Sequence, residues 1–186
     1  HRAIFGDASW NELEPRPFLE RFAGRAFRRP LRSGELDPIV SMVETALANG
    51  MDHEVALKNG LRAILVAPQF LYLYENKGQL DDYALASRLS YFLWATMPDA
   101  ELLKLAAAGQ LSDRRILLGQ ARRLLADSRS DAFVRHFTDR WLGLHQLGSM
   151  PPDENGFGAW YYHGQLERNG REETVRFFGH ILDQNL

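Results

Sequence analysis

Apolar residues recur at three- and four-residue spacing along almost the whole chain, which is the period of an amphipathic α-helix. The first of these stripes follows Pro17, a residue favoured in the first turn of a helix, and Pro30 ends it. Gly50 and Gly109 supply the left-handed stops that end later stripes. The pattern predicts an all-α fold, an irregular bundle of about eight amphipathic helices.

Residues that favour the N-cap position precede four of the stripes: Ser33, Asp52, Ser112 and Ser130. Pro68 is expected to end or kink the helix that follows Asp52. The aromatic run at 70–74 has the composition of a strand, yet it follows Pro68 directly. We therefore interpret this run as a short helix.

Residues 82–96 are apolar nearly all round the helical wheel, which is typical of a central buried helix. Arg88 lies within this segment and would be costly to bury without an anionic partner. Glu173 lies one turn before Phe177, so it would point inward if Phe177 faces the core. We predict a buried, structural Arg88–Glu173 ion pair; the alternative is a carboxylate poised for general acid or base catalysis. No nucleophile or catalytic motif accompanies it, and no catalytic residue is assigned.

A polar linker at 76–79 marks the best candidate for a boundary within the chain. It separates an N-terminal helical subdomain, 1–76, from a C-terminal helical subdomain, 80–186. We expect the two subdomains to pack as one globular unit.

Charge and composition exclude several classes of function. The 186 residues carry a formal charge of -2, so no overall positive field would hold nucleic acid. The chain has no cysteine, which excludes disulfides and thioether-linked c-type haem within these residues. No apolar stretch approaches the roughly 18 residues of a membrane span. Because the sequence starts at His1 and stops within a helical pattern at Leu186, we expect it to be part of a longer protein.

A cluster of aromatic residues with polar tips follows the longest loop, at Trp160, Tyr161, Tyr162 and His163. Such side chains suit a sugar face, a haem edge or a partner protein, and they are a candidate ligand- or partner-binding site. Packing of the 145–163 loop is the preferred interpretation of these side chains, and binding is the alternative.

Metal binding has little support from the spacing of the six histidines, since the helical patterns H-E-x-x-H and E-x-x-H are absent. His136 and Asp139 share a helix face, but the arginines beside them suit a salt-bridged surface. We assign no metal ligand and no cofactor to this segment, while noncovalent haem or metal binding stays open as an alternative.

Four arginines form a basic cluster near the first helix end: Arg25, Arg28, Arg29 and Arg32. They could hold a phosphate or a carboxylate. The preferred interpretation is that they solvate the helix end and pair with acidic neighbours.

Five segments carry a resemblance to a known family: 22–30 (FAGRAFRRP), 65–75 (LVAPQFLYLYE), 86–94 (ASRLSYFLW), 97–99 (MPD) and 122–130 (RRLLADSRS). They resemble adjoining domains of unknown function in large, exported planctomycete-type proteins, which often also carry a planctomycete cytochrome c domain. The resemblance covers most of the chain.

The resemblance implies a periplasmic or extracellular location and a c-type haem elsewhere in a parent protein. Together with the lack of catalytic motifs, it favours a helical scaffolding or partner-contact module of a larger, redox-linked protein. The expected partners are other domains of that protein or separate protein chains. A carbohydrate- or small-molecule-binding or enzymatic domain with a pocket near the 145–163 loop is the alternative.

Overall fold

The computed structural model describes residues 9–73, 75, 78–158, 161 and 165–184. These residues form helices and turns without a strand, which confirms the all-α prediction. The helices are α1 (Pro15–Ala26), α2 (Asp37–Ala48), α3 (His53–Val66), α4 (Pro68–Leu71), α5 (Asp82–Trp94), α6 (Ala100–Ala107), α7 (Arg114–Leu125), α8 (Asp131–Leu142) and α9 (Leu166–Gln184). Single helical turns lie at Trp10–Glu12, Ser128–Ser130, Leu144–Gln146 and Glu154–Gly158.

Several helix boundaries confirm the predicted caps and breakers. The Asp52 side chain accepts a hydrogen bond from the Val55 backbone amide at 3.1 Å, which caps α3. Pro68 separates α3 from the short helix α4, and Gly50 adopts a left-handed φ of 82° after α2. The last predicted residue of the aromatic run, Tyr74, lies outside the described residues.

Other boundaries differ from the prediction. Helix α1 begins at Pro15 rather than Pro17, because either proline satisfies the first turn. The N-cap of α2 is Leu36 instead of Ser33. Asp113 rather than Ser112 caps α7, since its carboxylate accepts hydrogen bonds from two backbone amides of the first turn.

The described residues divide into two compact units that do not follow chain order. The first unit contains the described residues up to Ser87 together with Pro98–Ser112, and the second contains Arg88–Met97 and the described residues from Asp113 onward. The subdomain boundary predicted between residues 76 and 80 is a different division, and it stays a prediction.

The core of the first unit lies among α1, α2 and α3. Gly60 is buried where α3 meets the two other helices. A Cβ at Gly60 would lie 2.9 Å from the methyl carbons of Leu19 and Val43, so only glycine permits this approach. The surrounding core is apolar and includes Phe18, Leu19, Ala23, Val40, Val43, Leu57 and Ile64.

Asp82 links two parts of the first unit that are distant in sequence. Its buried carboxylate accepts hydrogen bonds from the Leu111 amide at 2.7 Å and from the Ser112 hydroxyl. These bonds attach the segment after α6 to the start of α5. The segment belongs to the same unit as the N-terminal helices.

In the second unit, Trp94 at the end of α5 is buried. Its indole Nε1 donates a hydrogen bond to the Leu124 carbonyl at 2.8 Å, and the Arg129 guanidinium carbon lies 3.4 Å from the ring centroid. Arg123 lies 5.6 Å from the same centroid, so the ring is fixed by one hydrogen bond and two cation–π contacts.

Helix α5 occupies most of the predicted 82–96 segment, and it buries one face. The buried residues are Asp82, Ala86, Ser87, Ser90, Leu93 and Trp94. Arg88, Tyr91 and Phe92 lie on the exposed face at helical spacing. None of the helices in the described ranges is long and apolar enough to cross a membrane.

Candidate functional site

Aromatic side chains line one face of α8. Phe133, Phe137 and Trp141 follow one another at four-residue spacing, which places them along a single stripe. The ring centroids of Phe133 and Phe137 are 5.3 Å apart, and those of Phe137 and Trp141 are 5.6 Å apart. The stripe is a continuous line of touching rings.

Two further rings extend this line beyond α8. Phe92 on α5 lies 5.0 Å from Phe133, measured between ring centroids. Phe178 on α9 stacks on Phe137 at 5.4 Å and meets Trp141 edge-on at 6.2 Å. We call this set the aromatic row: Phe92, Phe133, Phe137, Trp141 and Phe178.

Much of the aromatic row faces solvent. Trp141 is 64% exposed and Phe92 is 62% exposed. Phe177, beside Phe178 on α9, is 66% exposed. Aromatic rings contribute large apolar areas, and a contiguous exposed patch of them marks an interaction surface more often than isolated exposed residues do.

A basic edge runs beside the aromatic row. His136 and Arg140 immediately precede Phe137 and Trp141, and four-residue spacing places both on one side of the row. Both side chains are exposed, and within the described residues neither has an ion-pair partner. Arg88, one turn before Phe92, is exposed as well.

The row was not predicted as a site. The sequence pattern assigns Phe133, Phe137 and Trp141 to the buried face of α8. In the structure the buried residue of this helix is Thr138. The available signal was an aromatic stripe at i, i+4 and i+8, the spacing of a contact face on a helix. Phe178 contacts Phe137 and Trp141, yet Trp141 stays 64% exposed.

The structure describes only one of the four residues of the predicted aromatic cluster. Tyr161 is half-buried, and its hydroxyl donates a hydrogen bond to the Glu167 carboxylate. Trp160, Tyr162 and His163 lie outside the described residues. The predicted binding role of this cluster stays a prediction.

The predicted burial of Arg88 and Glu173 is wrong, because both side chains are exposed. The inference depended on Phe177 facing the core. Instead Phe178 packs inward against α8, and Phe177 points to solvent together with the neighbouring Glu173. Arg88 lies on the exposed face of α5 beside Phe92.

Arg28 of the basic cluster has a structural environment. It is buried, with a left-handed φ of 61°, and its guanidinium donates hydrogen bonds to the backbone carbonyls of Gln69, Phe70 and Tyr72. Arg29 forms a two-pronged ion pair with Glu35, at 2.9 and 2.6 Å. The pairing predicted for this cluster is therefore present at Arg29.

The motifs that carry the family resemblance contact one another in pairs. Arg28 joins segment 22–30 to segment 65–75 through the three carbonyl contacts above. Trp94 joins segment 86–94 to segment 122–130 through Leu124 and Arg129. The motif residues identified in these contacts hold the fold.

The histidines do not gather into a metal site in the portion of the chain that is described, where no three His, Asp or Glu side chains come together. Asp139 lies beside His145, with 3.6 Å between Oδ2 and Nδ1. His136 and Asp139 share a helix face, but they are not paired with each other among the ion pairs of the described residues.

Comparison with known proteins gives two family matches. Residues 80–186 match the family model PSD4, protein of unknown function (DUF1592), and residues 15–75 match PSD5, protein of unknown function (DUF1595). No curated protein and no solved structure matches the chain. Both matches are planctomycete-type domains, and the chain belongs to the DUF1592 family, with a DUF1595 domain before it.

Proposed function

We propose that this chain is a helical partner-contact module of a larger protein, and that the aromatic row is its contact surface. The exposed rings of Phe92 and Trp141 are the observation that carries the proposal. A few residues supply most of the binding energy in protein interfaces, and these are enriched in Trp, Tyr and Arg. Their exposure costs the isolated chain hydrophobic stabilisation that a partner would restore.

The occupant of the row is an amphipathic helix. The row advances along α8 by eight residues, from Phe133 to Trp141, which corresponds to about 12 Å at 1.5 Å per residue. Two turns of a partner helix present apolar side chains over the same length at i, i+3, i+4 and i+7. A helix therefore matches the row in both length and periodicity.

The partner helix carries carboxylates along one edge. His136 and Arg140 form a basic edge beside the row, so an acidic edge on the partner would be complementary in charge. Such rim charges raise the association rate and select against basic partners. Their contribution falls as salt concentration rises.

The cellular location of the module and the other domains of its parent protein are part of the same proposal. An extracytoplasmic location, and a c-type haem in another domain of the parent protein, are supported by the family resemblance alone. The helix that occupies the row would come from another domain of that parent or from a separate protein.

Two matched synthetic peptides test the proposal. One is an amphipathic helix of leucine and glutamate, and the other replaces every glutamate with lysine. Isothermal titration should show that the glutamate peptide binds the purified chain more tightly and loses affinity in high salt.

Preference for the lysine peptide, or no binding of either, would overturn the proposal. Sedimentation equilibrium of the chain alone provides a further check. Self-association that buries Trp141 would show that a second copy of the chain, rather than an acidic helix, occupies the row.

A further inference from the structure

A second surface feature lies on α8 and α9, and none of its lining residues belongs to the aromatic row. It is a cleft of about 340 Å³ lined by Arg135, Glu167, Arg168, Arg171, Glu172 and Val175. Its volume is within the range of small-molecule sites. Five of its six lining residues are ionisable, so the pairing of those charges determines what the cleft can bind.

Both carboxylates in the cleft already have donors. Glu172 accepts hydrogen bonds from Arg135 at 3.2 Å and from Arg176 at 2.9 Å, and these guanidinium groups lower its pKa. Glu167 accepts a hydrogen bond from the Tyr161 hydroxyl. Neither glutamate forms an ion pair with Arg168 or Arg171 within the described residues.

Among the described residues, the two remaining arginines donate only to neutral groups. Arg168 donates to the Gln165 side-chain oxygen at 3.4 Å, and Nη2 of Arg171 donates to the Leu147 carbonyl. The Nε of Arg171 is buried, and among the described residues it has no acceptor. A buried donor without an acceptor is costly, and such groups call for an unseen partner.

Gly148 keeps the preceding loop close to this part of α9. Its φ is +90°, and a Cβ at this position would overlap the Glu167 carboxylate. The close approach places the Leu147 carbonyl against Arg171. The loop thereby provides an acceptor for Nη2 of Arg171, while Nε has no acceptor among the described residues.

We propose that this cleft binds a carboxylate, which accepts hydrogen bonds from Arg171 Nε and from Arg168. A carboxylate oxygen is a strong acceptor for a charged guanidinium N–H. The three arginines and two glutamates of the lining leave one positive charge, which matches a monoanion better than a dianionic phosphate. Val175 provides an apolar wall for the remainder of the ligand.

The carboxylate can belong to a free small acid or to an acidic side chain of a protein. Two probes separate these sources: propionate, and a glutamate residue blocked at both ends. Each is titrated into the isotope-labelled chain, and the Nε–Hε resonance of Arg171 is followed by NMR. Sodium chloride at matched ionic strength controls for screening.

The resonance should shift and saturate with at least one carboxylate probe, and stay in place with chloride. Saturation by propionate indicates a free acid, whereas saturation by the blocked glutamate alone indicates a protein carboxylate. Arg171→Gln and the exposed Arg168→Gln should each weaken binding by about tenfold. Because Arg171→Gln removes the Nε–Hε probe, its binding is measured from other cleft resonances. Arg114→Gln, an exposed arginine on α7, is the matched control and should bind within about twofold of the original chain.

Arg168→Gln keeps the test decisive if Arg171→Gln does not fold. No saturable shift with either carboxylate would overturn the proposal. Equal binding by the folded arginine variants and the control, or saturation by inorganic phosphate alone, would overturn it as well.

Discussion

Phe137 on α8 stacks on Phe178 on α9, with ring centroids 5.4 Å apart and an angle of 29° between the planes. This contact fixes which side of α9 faces α8. Phe177, the next residue along the helix, consequently points outward. The stack also covers the middle of the aromatic row while Trp141 and Phe92 stay exposed.

Replacing Gly60 by alanine should destabilise the first unit. The added methyl group would meet Leu19 and Val43 methyl carbons at 2.9 Å, and overpacking of this kind costs about 1–3 kcal/mol. Alanine recovers about 1 kcal/mol of helix propensity, so we expect a net loss of about 1 kcal/mol in the free energy of unfolding. Urea denaturation measures this change.

Gly24→Ala is the matched control, because Gly24 is also helical and a Cβ there would have no neighbour within 4 Å. It should gain up to about 1 kcal/mol. Equal effects of the two substitutions would contradict the close packing assigned to Gly60.

Arg28→Ala should lower the free energy of unfolding by about 3 kcal/mol, because it leaves three carbonyl groups without their charged donor. Arg28→Lys should lose less, since an ammonium keeps the charge but lacks the planar fork. Arg21→Ala, on the exposed side of α1, should change stability by less than about 0.5 kcal/mol. Equal urea midpoints for Arg28→Ala and Arg21→Ala would show that the carbonyl contacts contribute nothing.

The ion pair between Arg29 and Glu35 should make stability depend on pH. The Arg29 guanidinium holds the pKa of Glu35 below its ordinary value of 4.5. A lowered pKa in the folded state gives stability that is present above 4.5 and is lost as the pH falls toward the folded-state value. The destabilisation caused by Glu35→Gln should therefore be larger at neutral pH than at acidic pH.

Thermal unfolding of the original chain and of the Glu35→Gln variant, at pH 7 and at pH 3, checks this prediction. Glu44→Gln, an exposed substitution on α2, should change the melting temperature little at either pH. A stability difference between Glu35→Gln and the original chain that is independent of pH would rule out the proposed linkage.

The helices were predictable because each is encoded locally. Asp52, Pro68 and Gly50 act through their own backbone neighbours. The helix boundaries that they set can therefore be predicted from a short window of sequence. The start of α7 was missed by one residue, since Ser112 and Asp113 are both good caps. In the structure the Ser112 hydroxyl is instead bonded to Asp82.

Side-chain environments depended on contacts that the sequence pattern does not contain. Phe177 and Phe178 are adjacent and equally apolar, so only the packing of α9 on α8 decides which one is buried. The assumption that Phe177 faces the core led to the wrong prediction that Glu173 and Arg88 are buried. Arg28 shows the same limitation, because its acceptors lie more than 40 residues away in the sequence.

Binding of the glutamate peptide by Trp141→Ser tests the central claim most directly. Tyr72→Ser, which removes a side chain that is 68% exposed in the first unit, is the matched control. If the aromatic row is the contact surface, isothermal titration should show about 30-fold weaker binding for Trp141→Ser, equivalent to about 2 kcal/mol, and unchanged binding for Tyr72→Ser. Equal affinities of the two variants would contradict the proposal that the aromatic row binds a partner.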